Sequence, residues 1–248
     1  MKTFLIIVNE MKLIPRVERG IIKHKSISYG TTNLGITLEI YLPEKHEPKM
    51  LLMAGIHGDE PDTTVLLSEA LRSTPIDELH NAVILCANPD GMSRGTRANA
   101  RGVDLNRNFS TDNWTSNPVY HRNHVGEPQD IALSTGHKPE SEPETRGLLR
   151  IIDQINPREI IAFHSALDCV EDPNNSKLGQ WLSKNSGLKL IDDVGYPTPG
   201  SFGTWAKEKK LPLITFEFPE EPLTHMKTRF VNILNKLLQN EHLSEISD

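Results

Sequence analysis

The chain has 248 residues, 33 acidic side chains against 27 Lys and Arg, and a formal charge of −6 at pH 7. A chain of that length buries roughly 70–75 % of its unfolded surface, so its core needs no disulfide staples. Its two cysteines, Cys86 and Cys169, read as reduced thiols of a reducing compartment. With no Lys/Arg-rich stretch, an acidic chain argues against nucleic acid as a partner, because phosphate binding needs a basic surface.

The first apolar run, Phe4–Val8, is shorter than the roughly 7–15 residues of a secretory h-region. It also falls far short of the roughly 20 needed to span a bilayer, which places the protein in the cytoplasm with no membrane partner. Further runs predict strands at Leu34–Leu42, Met50–Ile56, Ala82–Asn88, Glu159–Phe163 and Leu211–Phe218. Between them lie helical patterns. In Thr63–Leu71 the residues Val65, Leu66, Ala70 and Leu71 share a face, and near Glu142–Gln154 the stripe is Leu148, Leu149, Ile151, Ile152 and Ile155. Ser141-x-x-Glu144 predicts a capping box at the start of the latter. A third helix carries Leu178, Trp181 and Leu182; the last, about Thr224–Gln239, repeats Met226, Phe230, Ile233, Leu234 and Leu237. Strands alternating with helices predict βα units, a largely parallel sheet and one domain over residues 1–248. Ser110–Pro139 is polar and without period, and loops that long are often functional.

Three side chains suit a metal. His57 and Glu60 follow the run Met50–Ile56 in a glycine-flanked turn, and His164 ends the run Ile160–Phe163. Two imidazoles and one carboxylate form a known catalytic zinc set with an open fourth position. Pro61 stands where an inverted zincin would place a second histidine, so this is a turn rather than a helical motif. Glu217, alone in the apolar run Leu213–Phe218, is a carboxylate that burial penalises unless charge faces it. All four fall at C-terminal ends of predicted strands, where parallel sheets gather ligands. By itself His-x-x-Glu is common, and a surface turn is its plain alternative.

Asn88-Pro-Asp-Gly91, Arg97, Gly102-Val-Asp-Leu-Asn106-Arg107-Asn-Phe109, Phe163-His164-Ser165 and Glu217 complete a pattern in order and spacing. Together they resemble the carboxypeptidase A-like zinc peptidases, the funnelins. The resemblance implies an α/β fold with a mixed, largely parallel central sheet flanked by helices on both faces. It implies His57, Glu60 and His164 as ligands of one Zn2+ per chain, and Glu217 as the catalytic acid/base. Arg97 would bind the scissile carbonyl, with Arg94 and Arg101 as rivals, and Asn106 and Arg107 the terminal carboxylate of the substrate. Tyr196 matches the tyrosine that closes over substrate. The plain alternatives are a surface charge at Arg97 and a salt bridge from Arg107 to Asp104.

Ser141-Glu-Pro-Glu-Thr145, Glu171-Asp-Pro173 and Leu178-Gly-x-Trp-Leu182 narrow the resemblance to the murein-peptide amidase branch, as does Val194-Gly-Tyr196-x-Thr-Pro-Gly-Ser-Phe-Gly-x-Trp205. That branch implies hydrolysis of the γ-D-glutamyl–meso-diaminopimelate amide in L-Ala-γ-D-Glu-meso-Dap, a small anionic peptide, by a homodimer. Glu171, Asp172, Ser201 and Thr204 are candidates for holding the far end of diaminopimelate. Pro199-Gly-Ser201 either cradles a carboxylate or opens a helix over Phe202–Lys209. The competing functions are an N-acyl amino acid deacylase of the aspartoacylase and succinylglutamate desuccinylase kind, a carboxypeptidase for other C-terminal residues, and a zinc-bearing peptide binder. Elsewhere, His121 and His124 in the polar loop read as solvated rather than as a second metal site, Cys169 as pocket lining or core, and Ser165 as a neighbour of the metal ligands.

Overall fold

The structure, a computed structural model, describes residues 11–123 and 129–246; the Phe4–Val8 run and His124 lie outside them. In chain order the strands are β1 (Ser26–Thr31), β2 (Thr37–Tyr41), β3 (Met50–Met53), β4 (Ala82–Ile84), β5 (Val119–Asn123), β6 (Gln129–Leu133), β7 (Glu159–Ser165), β8 (Cys169–Glu171), β9 (Lys189–Ile191) and β10 (Leu213–Phe218). The helices are α1 (Pro61–Ser73), α2 (Pro89–Met92), α3 (Pro143–Ile155), α4 (Lys177–Ser186), α5 (Phe202–Glu208), α6 (Leu223–Leu238) and α7 (His242–Ile246). Eight strands form one sheet in the order β1-β2-β4-β3-β7-β10-β8-β9. The central four, β4, β3, β7 and β10, run parallel, as their near-continuous apolar sequences require of strands buried on both faces. Antiparallel pairings, β1 to β2 to β4 on one side and β8 to β10 on the other, make the sheet mixed.

Side-chain alternation sends successive residues to opposite faces. On one face Leu52, Phe163, Phe216 and Phe218 pack with the stripes of α1, α4 and α6. On the other, Leu51, Met53, Ile160 and Ala162 meet Leu148, Ile151 and Ile152 of α3 and Phe202, Trp205 and Ala206 of α5. Helices therefore cover both faces, as expected.

Several local expectations need correction. β1 was unforeseen because it is a largely exposed edge strand, with a register shift between Ser28 and Gly30 that breaks its alternation. β8 and β9 have three residues each, too few to display a period. In α1 the buried stripe holds Leu67, while Val65 is only half-buried. The capping box at Ser141 is absent: Glu142 is the N-cap of α3, Pro143 takes the first turn, and no side chain caps it. Proline needs no N–H partner there, which relieves the demand for a cap. Ser141 Oγ instead donates to Glu142 at 2.7 Å. Finally, Ser110–Pro139 is not wholly irregular, since β5 and β6 pair in it as an antiparallel hairpin.

Candidate active site

β3 and β7 are adjacent, so the turn after β3 and the end of β7 bring His57 and His164 to one sheet edge. The turn is tight for a steric reason: a Cβ at Gly58 would collide with the backbone of Gly91, Met92 and Thr96. Gly58 N–H donates to Arg97 O at 3.3 Å, and Asn88, the N-cap of α2, donates to that same carbonyl at 3.2 Å. The turn bearing His57 and the loop bearing Arg97 are thus one unit.

His57 Nδ1 lies 2.7 Å from Glu60 Oε1, and His164 Nδ1 lies 3.1 Å from both Glu60 Oε2 and His57 Nδ1. All three residues are buried, with ligand atoms within 4.8 Å of one another, and no other cluster able to hold a metal occurs among the described residues. Burial acts to raise the Glu60 pKa, but the two imidazoles outweigh it and hold the carboxyl well below the ordinary range. A buried carboxylate facing two imidazole nitrogens is a donor set that fits a divalent zinc ion.

Glu217 is the register partner of His164 across β10 and β7. It is buried, and Oε2 has no hydrogen-bond partner. Burial raises its pKa, Glu60 adds to the rise, and the two histidines oppose it. Arg97 Nε donates to Asp104 Oδ2 at 2.9 Å, and its Nη1 stands 3.7 Å from Glu60 Oε1. Arg94 instead donates to Asp90 O, and Arg101, 3.9 Å from Glu142, is largely exposed. Of the three arginines, Arg97 alone lines the cavity beside the histidines.

The salt bridge from Asp104 therefore goes to Arg97 and not to Arg107, whose Nη1 donates to Asn106 O at 2.7 Å. Asp104 also faces His57 Nε2 at 3.6 Å, on the ring edge away from Glu60. A carboxylate behind a metal-binding imidazole fixes the orientation of the ring. The sequence reading missed this role; the signal was an acid among the apolar residues Val103 and Leu105. Asn106 Oδ1 accepts the Phe202 N–H at 2.8 Å and so anchors the start of α5 beside Arg107.

Pro199-Gly-Ser201 opens α5: Ser201 Oγ caps Thr204 N at 3.0 Å and also meets the Thr198 and Thr204 hydroxyls. Gly200 N–H is taken by Thr111 and Asn113, so these amides do not form a free anion cradle. Tyr196 is 52 % exposed, outside the packed part of the site. His121 was read as solvated, yet it lies on β5 with Nε2 3.1 Å from Asp59, the neighbour of Glu60. Cys169 faces Glu217 in the β8–β10 register, and burial, then Glu217, pushes its thiol up to about 11, which leaves it protonated. Ser165 lines the cavity next to His164.

A cavity of about 1660 Å³ joins these groups, lined by His57, Glu60, His164, Arg97, Arg107 and Glu217, with Asn106, Tyr196 and Ser201 also on its wall.

A mixed sheet carrying a His-Glu-His cluster at its strand ends defines a zinc carboxypeptidase fold, and residues 22–177 match the zinc carboxypeptidase family. The chain belongs to that family. It is 44 % identical to murein peptide amidase A of Escherichia coli strain K12 over 228 residues, covering 91 % of this chain and 94 % of that one. Murein peptide amidase A of Vibrio campbellii is 45 % identical over 212 residues, covering 84 % and 85 %. The crystal structure of murein-tripeptide amidase MpaA from Escherichia coli O157 superposes with a TM-score of 0.88 at 41 % identity, over 92 % of this chain and 97 % of that one. Among the described residues no helix is long and apolar enough to cross a membrane.

Proposed function

We propose that the chain is a zinc-dependent murein-peptide amidase that hydrolyses the γ-D-glutamyl–meso-diaminopimelate bond of L-Ala-γ-D-Glu-meso-Dap. One observation carries the reading: a buried His57–Glu60–His164 cluster opens onto the same cavity as Glu217, Arg97 and Arg107 in a chain this similar to murein peptide amidases. His57, Glu60 and His164 are the ligands of one zinc ion. Zinc bound there supplies a Lewis acid that brings the pKa of water to about 7.

The remaining work belongs to side chains. Glu217 takes the proton of the attacking water through its unpartnered oxygen and delivers it to the leaving amine. Arg97, steered by Asp104, holds the oxygen of the scissile carbonyl as charge develops on it. Arg107 presents a planar fork to the free carboxylate beside the scissile amide, with Asn106 beside it. Tyr196 covers the bound peptide. Ser201 contributes as the cap of α5, which carries part of the cavity wall.

The two cysteines are free, in keeping with a cytoplasmic enzyme. The homodimer rests on the resemblance to murein-peptide amidases. An N-acyl amino acid deacylase is the second reading; the whole-length likeness to murein peptide amidases favours the first. The test is incubation of the zinc-loaded protein with L-Ala-γ-D-Glu-meso-Dap, an α-linked tripeptide and N-acetylaspartate. Release of diaminopimelate from the first alone is expected. Turnover of the acyl amino acid with an intact tripeptide would overturn the proposal.

A further inference from the structure

Asp104, Asn106 and Arg107 sit on one irregular segment, residues 99–108. Apart from a bridge of Val103 to Ser134 and a single turn at Leu105–Arg107, no regular element holds its backbone, so side chains must. At its start, Asn99 Oδ1 accepts from the N–H groups of Arg101 and Val103 at 3.0 and 3.1 Å. At its end, the Asn108 amide donates to Thr135 O at 2.8 Å and Ser141 Oγ at 3.0 Å, and its Oδ1 accepts from Glu142 N at 3.2 Å.

Both ends meet at one carboxylate. The buried Glu142 accepts at Oε2 from Asn99 Nδ2 at 2.9 Å and from Asn33 Nδ2 at 3.1 Å. Its Oε1 accepts at 2.7 Å from Ser141 Oγ, the hydroxyl that Asn108 also binds. Burial pushes the Glu142 pKa up, but the bonds from Asn99, Ser141 and Asn33 outweigh it and hold the carboxyl below its ordinary range. An ionised carboxylate accepts at two oxygens and an amide at one, so only the acid can accept at both ends of the segment.

Glu142 is not on the cavity wall and acts through the segment it holds. Asp104, in mid-segment, has anchors of its own: its N–H donates to Ser134 O at 2.9 Å, and its carboxylate accepts from Arg97 Nε at 2.9 Å. Arg107 forms no ion pair among the described residues, so its backbone, next to Asn108, decides where the guanidinium stands. We propose that Glu142 is a positioning residue for substrate binding, which ties Asn99 to Ser141 and Asn108 and so holds Arg107 where the substrate carboxylate meets it. This rests on the proposed amidase function, in which Arg107 binds that carboxylate.

The test is a double-mutant cycle on the zinc-loaded full chain with L-Ala-γ-D-Glu-meso-Dap. Glu142→Gln should raise KM roughly tenfold at nearly constant kcat and unchanged zinc content; displacing a positioning group by about 1 Å can cost about 10²-fold. In the Arg107→Ala background the same change should raise KM no further, because the group it positions is gone. A residue that served stability alone would lower the unfolding midpoint in both backgrounds and leave KM unmoved. If Glu142→Gln does not fold, Ser141→Ala, which keeps the acid and removes its link to Asn108, should raise KM severalfold and show the same dependence on Arg107. A wild-type KM in the folded variants, or a rise in the double variant equal to the product of the single rises, overturns the assignment and leaves the amidase reading intact. A wild type that does not cleave the peptide overturns the amidase reading. Calorimetric titration with free meso-diaminopimelate then decides Glu142 by the same cycle in affinity.

Discussion

The two faces of β10 differ by one residue of offset and by everything else. Phe216 and Phe218 pack against Phe163 and Phe230 with ring centroids 5.1–5.9 Å apart, mostly edge-on, in a core closed by α1, α4 and α6. Thr215 and Glu217, the alternate residues, face the cavity, where Glu217 keeps an unpartnered buried oxygen. One face gains free energy from apolar contact; the other holds polar groups whose burial costs free energy unless charge or substrate meets it. Stability and chemistry are thus carried by opposite sides of a single strand.

Breaking the chemical side should have the largest effect on turnover. Glu217→Gln should retain zinc by elemental analysis and lose roughly 10²–10⁴ in kcat, the usual worth of a general base; near-normal turnover would remove Glu217 from the mechanism. On the packed side, Phe218→Ala should cost about 3–5 kcal/mol in denaturant unfolding. The fraction that remains folded should keep its kcat, and a matching fall in kcat would show that the two faces are not independent. The smallest effect is expected on the substrate-binding wall of the cavity. Arg107→Ala should remove about 1.5–3 kcal/mol of binding, seen as a ten- to hundredfold rise in KM at nearly constant kcat. A loss confined to kcat would move Arg107 from substrate binding to the transition state.

Local chemistry made the core and the ligand types legible. The stripe of α6, the four central strands and the positions of His57, Glu60 and His164 at strand ends follow from period and from where apolar runs stop. β1 escaped because an exposed, bulged edge strand lacks the alternation that marks burial on one face. The hairpin of β5 and β6 escaped because Val119-Tyr-His-Arg-Asn123 and Gln129-Asp-Ile-Ala-Leu133 show no apolar–polar alternation, and its pairing is set by register rather than by composition.

The sequence by itself determined the fold class and the kinds of side chain available for catalysis, because hydrophobic period and residue chemistry are properties of short segments. Which polar groups meet was decided only by the tertiary structure. Asp104 binds Arg97 and backs His57 rather than pairing with Arg107. His121 reaches Asp59 across 62 positions, and Ser201 caps α5 instead of facing free amides. Hydrogen bonds and ion pairs act within a few ångströms, so their partners are fixed by how loops cross after the sheet has set its register, and no local pattern records that crossing.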